Sequence, residues 1–272
     1  SYSHYKTNYL STQDDGAAGS SGNVFALTTV APIYPLYIRD EKGNIMYNST
    51  TGLKSYDYGD GLINGVLRPY IQQANPLCSN QLDTNESEGN SVNAIGFAEV
   101  RFLKDFKFTS TNSVSSEETR YTTTTNPWFG QYASQNGAIT VEHDRTWSYN
   151  YQQLLTWHHQ FDLHEVDAML GHEYYRRRYY VLYGDKTNMY TFPSNDMASA
   201  VNTGSTNSYR NDYNTEGWFG RIQYNYDQKY FASMSYRRDA SSRFAPENRW
   251  GNFWSFGGAW LISKEKFFNV SW

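Results

Sequence analysis

Apolar and polar residues alternate with a period of two along much of the chain, as in strands that hide one face only. Along 146–158, Trp147, Tyr149, Tyr151, Gln153, Leu155 and Trp157 form one set, interleaved with Ser148, Asn150, Gln152, Leu154, Thr156 and His158. Along 165–174, Val166, Ala168, Leu170 and Tyr174 alternate with Glu165, Asp167 and Glu173. Ile222, Tyr224 and Tyr226 alternate with Arg221, Gln223 and Asn225; beyond the next turn come Tyr230, Ala232, Met234 and Tyr236, then Trp254, Phe256, Trp260 and Ile262. The pattern predicts eight strands, near 1–9, 92–104, 106–120, 139–159, 163–182, 216–226, 229–240 and 251–262.

Connection lengths separate a sandwich from a barrel wall. Tight turns are expected around Lys104-Asp105, Gln160-Phe161-Asp162 and Asp227-Gln228, and long polar links over 10–91, 121–138, 183–215 and 240–250. Short and long connections thus alternate, the asymmetry of outer-membrane barrels with short periplasmic turns and long extracellular loops. The segment 146–158 alone spans roughly 43 Å at about 3.3 Å per residue, enough for a tilted strand to cross an apolar band of ~25 Å. Its apolar side is aromatic at the ends and aliphatic towards the middle, as interfacial ring girdles require.

Composition narrows the function. Of 272 residues, 25 are Tyr and 8 are Trp, yet mean hydropathy is -0.75, which suits rings placed at boundaries rather than in one dry core. A net charge of -4 gives no general attraction for nucleic acid. No apolar run is long enough for a membrane helix. Cys78 is the sole cysteine, which excludes an intrachain disulfide. The opening SYSHYKTNYL has neither the basic head nor the apolar centre of a secretory signal, so the chain reads as processed, trimmed or part of something larger.

The stretch GWFGRIQYNYDQKYFASMSYRRDASSRFAPENRWGNFWSFGGAWLISKEKFF, residues 217–268, closely resembles the barrel of SusC/RagA-type TonB-dependent outer-membrane transporters. Phe219-Gly220-Arg221, Tyr224, Tyr226, Lys229-Tyr230, the run Arg238, Asp239, Ser241, Ser242, Arg243, Phe244, then Asn248, Arg249, Trp250, Gly251 and Ala259-Trp260 match in order. Ala240 replaces the usual Gly, and Trp254 stands where Pro is common. Upstream, AEVRFLKDFKFTST (98–111), NPL (75–77) and APIYPLY (31–37) agree more loosely. The resemblance implies an all-β fold. Residues 1–272 would be an antiparallel transmembrane segment of about eight strands in a barrel of ~22, the plug and TonB-contacting segment lying elsewhere. It implies outer-membrane localisation in a Gram-negative bacterium, with a SusD-like surface lipoprotein as lid and the TonB-ExbB-ExbD complex as energy source. The expected function is active uptake of glycans or, second, peptides; no cofactor and no catalytic activity are expected. Two alternatives remain: a carbohydrate-binding surface β-sandwich and a passive porin.

Candidate residues follow from faces and loops. Asn150, Gln152, Arg221, Gln223 and Asn225 occupy the polar phase of their strands and are expected to face the lumen. The loop aromatics Tyr56, Tyr58, Trp128, Phe129 and Tyr132 are candidates for stacking on substrate or packing on a lid, with packing among themselves the plainer role. His158, His159, His164 and His172 lie close in sequence but fall on both strand faces, so no metal site is expected. In EYYRRRYY (173–180), Arg176 and Arg178 share a face, which suggests contact with lipopolysaccharide or loop carboxylates. Asp239 is expected to pair with Arg237, Arg238 or Arg243 and fix its loop. Adjacent acids at Asp14-Asp15 and Glu117-Glu118 are not spaced for catalysis.

Overall fold

The structure, a computed structural model, describes residues 1–9, 32–59, 61, 67–69, 75–130 and 132–268. The Asp14-Asp15 pair and Ala31 of APIYPLY lie outside them.

Eight antiparallel strands form one sheet in strict chain order: β1 (Tyr2–Asn8), β2 (Thr84–Phe102), β3 (Phe106–Thr125), β4 (Ala138–Phe161), β5 (His164–Met189), β6 (Ala200–Tyr226), β7 (Tyr230–Ser241) and β8 (Trp250–Trp260). Among the described residues no second sheet packs on this one, which is not the layered arrangement of a sandwich. Among the described residues, one short α-helix, α1 (Pro76–Leu82), precedes β2.

The three tight turns stand where the pattern placed them. Phe102 pairs with Phe106, Phe161 with His164, and Tyr226 with Tyr230. Leu103, Lys104, Asp162, Asp227 and Gln228 have positive φ there, and Asp is among the residues that tolerate it best.

The far ends of the strands differ from expectation. The link expected over 183–215 is largely strand: β5 runs to Met189, β6 begins at Ala200, and only 190–199 connects them. β2 begins at Thr84 rather than 92, and β3 runs on to Thr125. These extensions carry Asn, Thr, Ser and Gly on both faces, so alternation vanishes while the backbone ladder continues, with a bulge between Gly184 and Lys186.

Register brings most of the large rings of the lower half onto one face. Phe108, Leu155, Leu170, Gly220, Tyr236 and Trp254 form one cross-strand row; Phe106, Trp157, Ala168, Ile222, Met234 and Phe256 form the next. This ring face has no Lys, Arg, Asp or Glu over 92–102, 106–116, 147–161, 164–174, 218–226, 230–236 and 254–260. It is nevertheless bare, with Leu170 57%, Ile222 55% and Phe256 65% exposed. The ring band climbs diagonally. Its upper edge passes from Trp147 on β4 to Trp218 on β6, which lies level with Gln153, and the tight turn at Phe102–Phe106 lies level with Trp157, four residues short of the turn at Phe161–His164. Such stagger belongs to strands tilted by ~35–45° in a barrel wall.

A small lobe caps the far end. Residues 36–57 fold back on themselves through bridges Tyr37–Tyr56, Arg39–Ile45 and Tyr47–Lys54. Asp40 Oδ1 closes one turn by accepting from Lys42 N and Asn44 N; the Asn44 side-chain amide, which donates to Oδ2, and then these backbone bonds hold its carboxyl below the usual carboxylate range. Tyr56, Tyr58, Cys78 and Phe129 make the lobe's core, flanked by Leu36, Leu53, Leu82 and Trp128. Buried polar groups lock it to the sheet. Asn126 donates to Asp83 Oδ1 at 2.8 Å and accepts from the backbone of Trp128 (3.1 Å) and Phe129 (2.8 Å). Asn75 donates to the carbonyls of Leu36 and Asp57.

Candidate functional site: the polar face of the sheet

The face opposite the rings carries the charge, arranged in three tiers. Nearest the tight turns, Glu99 lies 3.0 Å from Arg101 and 3.7 Å from Lys107. His158 Nδ1 meets Asp167 Oδ1 at 2.8 Å, and Asn225 donates to Glu165 at 2.8 Å. Half-way up, Arg237 lies between Asp239 (2.7 Å) and Glu173, with its guanidinium 5.2 Å over the Phe219 ring. That ring covers Gly171, where a Cβ would overlap it; a larger residue would lift the ring off the wall.

Higher still, tyrosines and carboxylates dominate. Tyr175 meets Tyr213 and Tyr179 meets Tyr209 edge-on, at 6.2 and 6.1 Å. Tyr179 donates to Asp144 at 2.9 Å and Tyr183 to Asp185 at 3.1 Å. Arg177 and Arg243 lie over Tyr179 and Tyr213. Tyr209 is exposed and the other four half-buried, so ring surface remains open beside acceptor carboxylates. Flat apolar rings with nearby hydrogen-bonding groups can hold a sugar ring or a peptide side chain by stacking while fixing its polar groups.

The expected wall residues Asn150, Gln152, Arg221, Gln223 and Asn225 all fall on this face, with Asn150 opposite Tyr175, Gln152 opposite Glu173 and Gln223 opposite Asp167. The loop aromatics lie elsewhere. Tyr56, Tyr58 and Phe129 are 7%, 4% and 6% exposed, and Phe129 packs 5.3 Å from Tyr56 and 6.1 Å from Tyr58, so their faces are occupied by one another. Burial pushes the Tyr56 hydroxyl and the Cys78 thiol up to about 12 each. Trp128 and Tyr132 are half-buried, and Trp128 packs edge-on against Phe192.

The motif residues hold the β7–β8 connection. Arg238 stacks 4.8 Å over Trp250 on the ring side, while Asp239 and Gly251 pair on the polar side. Ser242 Oγ accepts from Asn214 N, Ser241 Oγ from Arg243 N, and Arg249 donates to the Phe244 carbonyl. Asn248 N bonds the Ala245 carbonyl, and Phe244 is 60% exposed.

Two groupings escaped the sequence reading. His158, Glu165 and Asp167 bring ligand-type atoms within 4.8 Å of one another, because the β4–β5 turn folds two carboxylates back onto a histidine considered only with other histidines. The tyrosine tier was hidden because most of it lay in the supposed link over 183–215. Its signal was spacing: 175, 179 and 183, like 209 and 213, are separated by even steps and share a face.

No protein-family model matches the chain. Similar curated proteins are TonB-dependent receptor SusC of Bacteroides thetaiotaomicron, 29% identical over 228 residues, which covers 81% of this chain and 21% of that protein. TonB-dependent receptor P3 of Formosa agariphila is 25% identical over 199 residues, covering 72% of this chain and 20% of the relative. The chain thus spans about a fifth of these relatives' length. Among solved structures, the RagAB peptide transporter superposes with a TM-score of 0.66 at 20% identity, over 86% of this chain and 25% of that one. The fold is therefore that of an antiparallel barrel wall, and in sequence the chain is similar to a stretch of SusC-type TonB-dependent receptors.

Proposed function

We propose that this chain forms part of the wall of an outer-membrane importer energised through TonB, with its ring face in hydrocarbon and its polar face towards the lumen. One observation carries the reading: at the same height along the same strands, one face is ring-rich and free of Lys, Arg, Asp and Glu, and the other is ionic. Water on both sides would make the first face a large apolar liability; lipid on one side makes it necessary. From Trp147 to Trp157 the strand advances about 33 Å, or ~25 Å in height at such a tilt, the thickness of the apolar band.

The lumen face supports active rather than passive passage. Exposed Ile95, Phe97, Phe231 and Phe253 interrupt it, which suits a lumen occupied by a plug better than a water-filled pore. The tyrosine and carboxylate tier then stands in the outer vestibule, where cargo is captured with a SusD-like lid. Its chemistry fits oligosaccharides first and peptides second, neutral or cationic rather than anionic. RagAB, whose structure this chain superposes on, is a peptide transporter.

The test uses the complete transporter with its lid partner in a Gram-negative host, following fluorescent oligosaccharide and peptide uptake. Uptake should cease on loss of TonB, and Tyr179→Ala with Tyr209→Ala should raise the half-saturating cargo concentration severalfold. Uptake that persists without TonB would make the protein a passive porin.

A further inference from the structure

Charge returns to the ring face just above the upper rings, and on β4 and β5 it returns as arginine. Trp147 pairs with Arg178, Tyr149 with Arg176, and Tyr180 with both Arg145 and Arg210, so four guanidinium groups occupy adjoining rows of one face. Two carboxylates lie among them. Asp212 is 3.3 Å from Arg176 and 3.5 Å from Arg178, and Glu118 is 3.8 Å from Arg145. These separations exceed the 2.7–2.9 Å typical of charge-assisted bonds. Arg210 is exposed and makes no ion pair with the described residues, so the patch keeps an excess of unengaged donors.

We propose that this patch binds the phosphates of a phosphorylated glycolipid in the outer leaflet, an inference that rests on the membrane reading above. Continuity favours a lipid over a protein partner: Arg176 and Arg178 adjoin Tyr149 and Trp147 across the register, so whatever layer bathes those rings also meets these cations. The arginines begin one or two face positions beyond the rings, about 7–13 Å along the strand, which is headgroup depth next to an aromatic girdle. Arginine's planar fork matches phosphate in two bonds at once, where a lysine would act as a point charge. The single Asp212 between two arginines holds them in place and competes with the phosphate.

The experiment takes the complete transporter, delipidated in detergent, and measures retention of bisphosphorylated lipid A against the same lipid with its phosphates removed, by native mass spectrometry. The parent should retain the phosphorylated form at least about tenfold better, a difference of about 1.4 kcal/mol. Arg176→Gln with Arg178→Gln and Arg210→Gln should abolish that preference, and Asp212→Asn should increase it. Equal retention of the two lipids by the parent, or an unchanged preference in the triple variant, overturns the phosphate site. Quenching of Trp147 by brominated acyl chains, taken as the difference from Trp147→Phe in bilayers, separates the two readings. Quenching without phosphate preference removes this site and leaves the membrane wall standing; absence of quenching removes both.

Discussion

The lower and upper halves of β4–β6 are made from the same continuous strands yet obey different rules. Below Trp147 and Trp218, one face has rings and aliphatics while the other has Asp167, Arg221 and Glu173. Above them both faces are ionic: Arg176, Arg178 and Asp212 on one side, Asp144, Arg177 and Asp185 on the other. The backbone ladder does not register the change. Secondary structure here comes from hydrogen bonds between neighbours, whereas side-chain pattern reports the medium, which changes across the sheet below and along the strands above.

The comparison breaks most visibly by moving a charge across the lower half. Leu155→Arg on the ring face should cost ~2–4 kcal/mol near the bilayer centre, whereas Gln152→Arg on the polar face should stay within about 0.5 kcal/mol. Equilibrium unfolding of the complete protein from lipid bilayers reads both, and equal losses would end the distinction between faces.

Next in size is the lobe that caps the upper half. Asn126→Ala removes a buried amide that serves Asp83, Trp128 and Phe129, a loss of ~1–3 kcal/mol confined to the lobe. The readout is alkylation of Cys78, which is fully buried and should react at pH 8 at least tenfold faster in the variant. The same thiol gives a pH dependence. Because burial raises it from 9.0 to about 12, the folded lobe holds its proton longer than the unfolded chain. Stability from this group is therefore intact below pH 9 and declines as pH rises towards 12, so labelling should accelerate over that window beyond the intrinsic rise in thiolate.

Smaller effects sharpen the polar tiers. Gly171→Val forces Phe219 away and loosens Arg237, at a cost of ~1–3 kcal/mol, measured by urea unfolding of the detergent-solubilised protein. Tyr179→Phe removes one hydrogen bond to Asp144 and should cost only ~0.5–1.5 kcal/mol by the same measurement.

The sequence disclosed the lower half better than the upper for the same physical reason. Where Ile222, Tyr224 and Tyr226 face away from Arg221, Gln223 and Asn225, the contrast between media is written into alternate residues. Asn202 to Asn214 has no such contrast, and its Asn, Thr, Ser and Gly content imitates a loop although the segment pairs with β5. The polar-face positions of Asn150 and Gln152 were legible from phase alone. The closing of His158 onto Asp167, and of Tyr179 onto Asp144, depends on which strand lies beside which, and so needed the register.

The diagonal climb of the ring band limits how this wall can change length. One extra residue between Leu155 and Trp157 would reverse the facing of every position on one side of it. Two would preserve the facing but leave the rings of β4 a step out of line with those on β5 and β6. Insertions and deletions should therefore gather in the rim segments 190–199 and 242–249, where descendants of this chain can diverge in shape without disturbing the layer below.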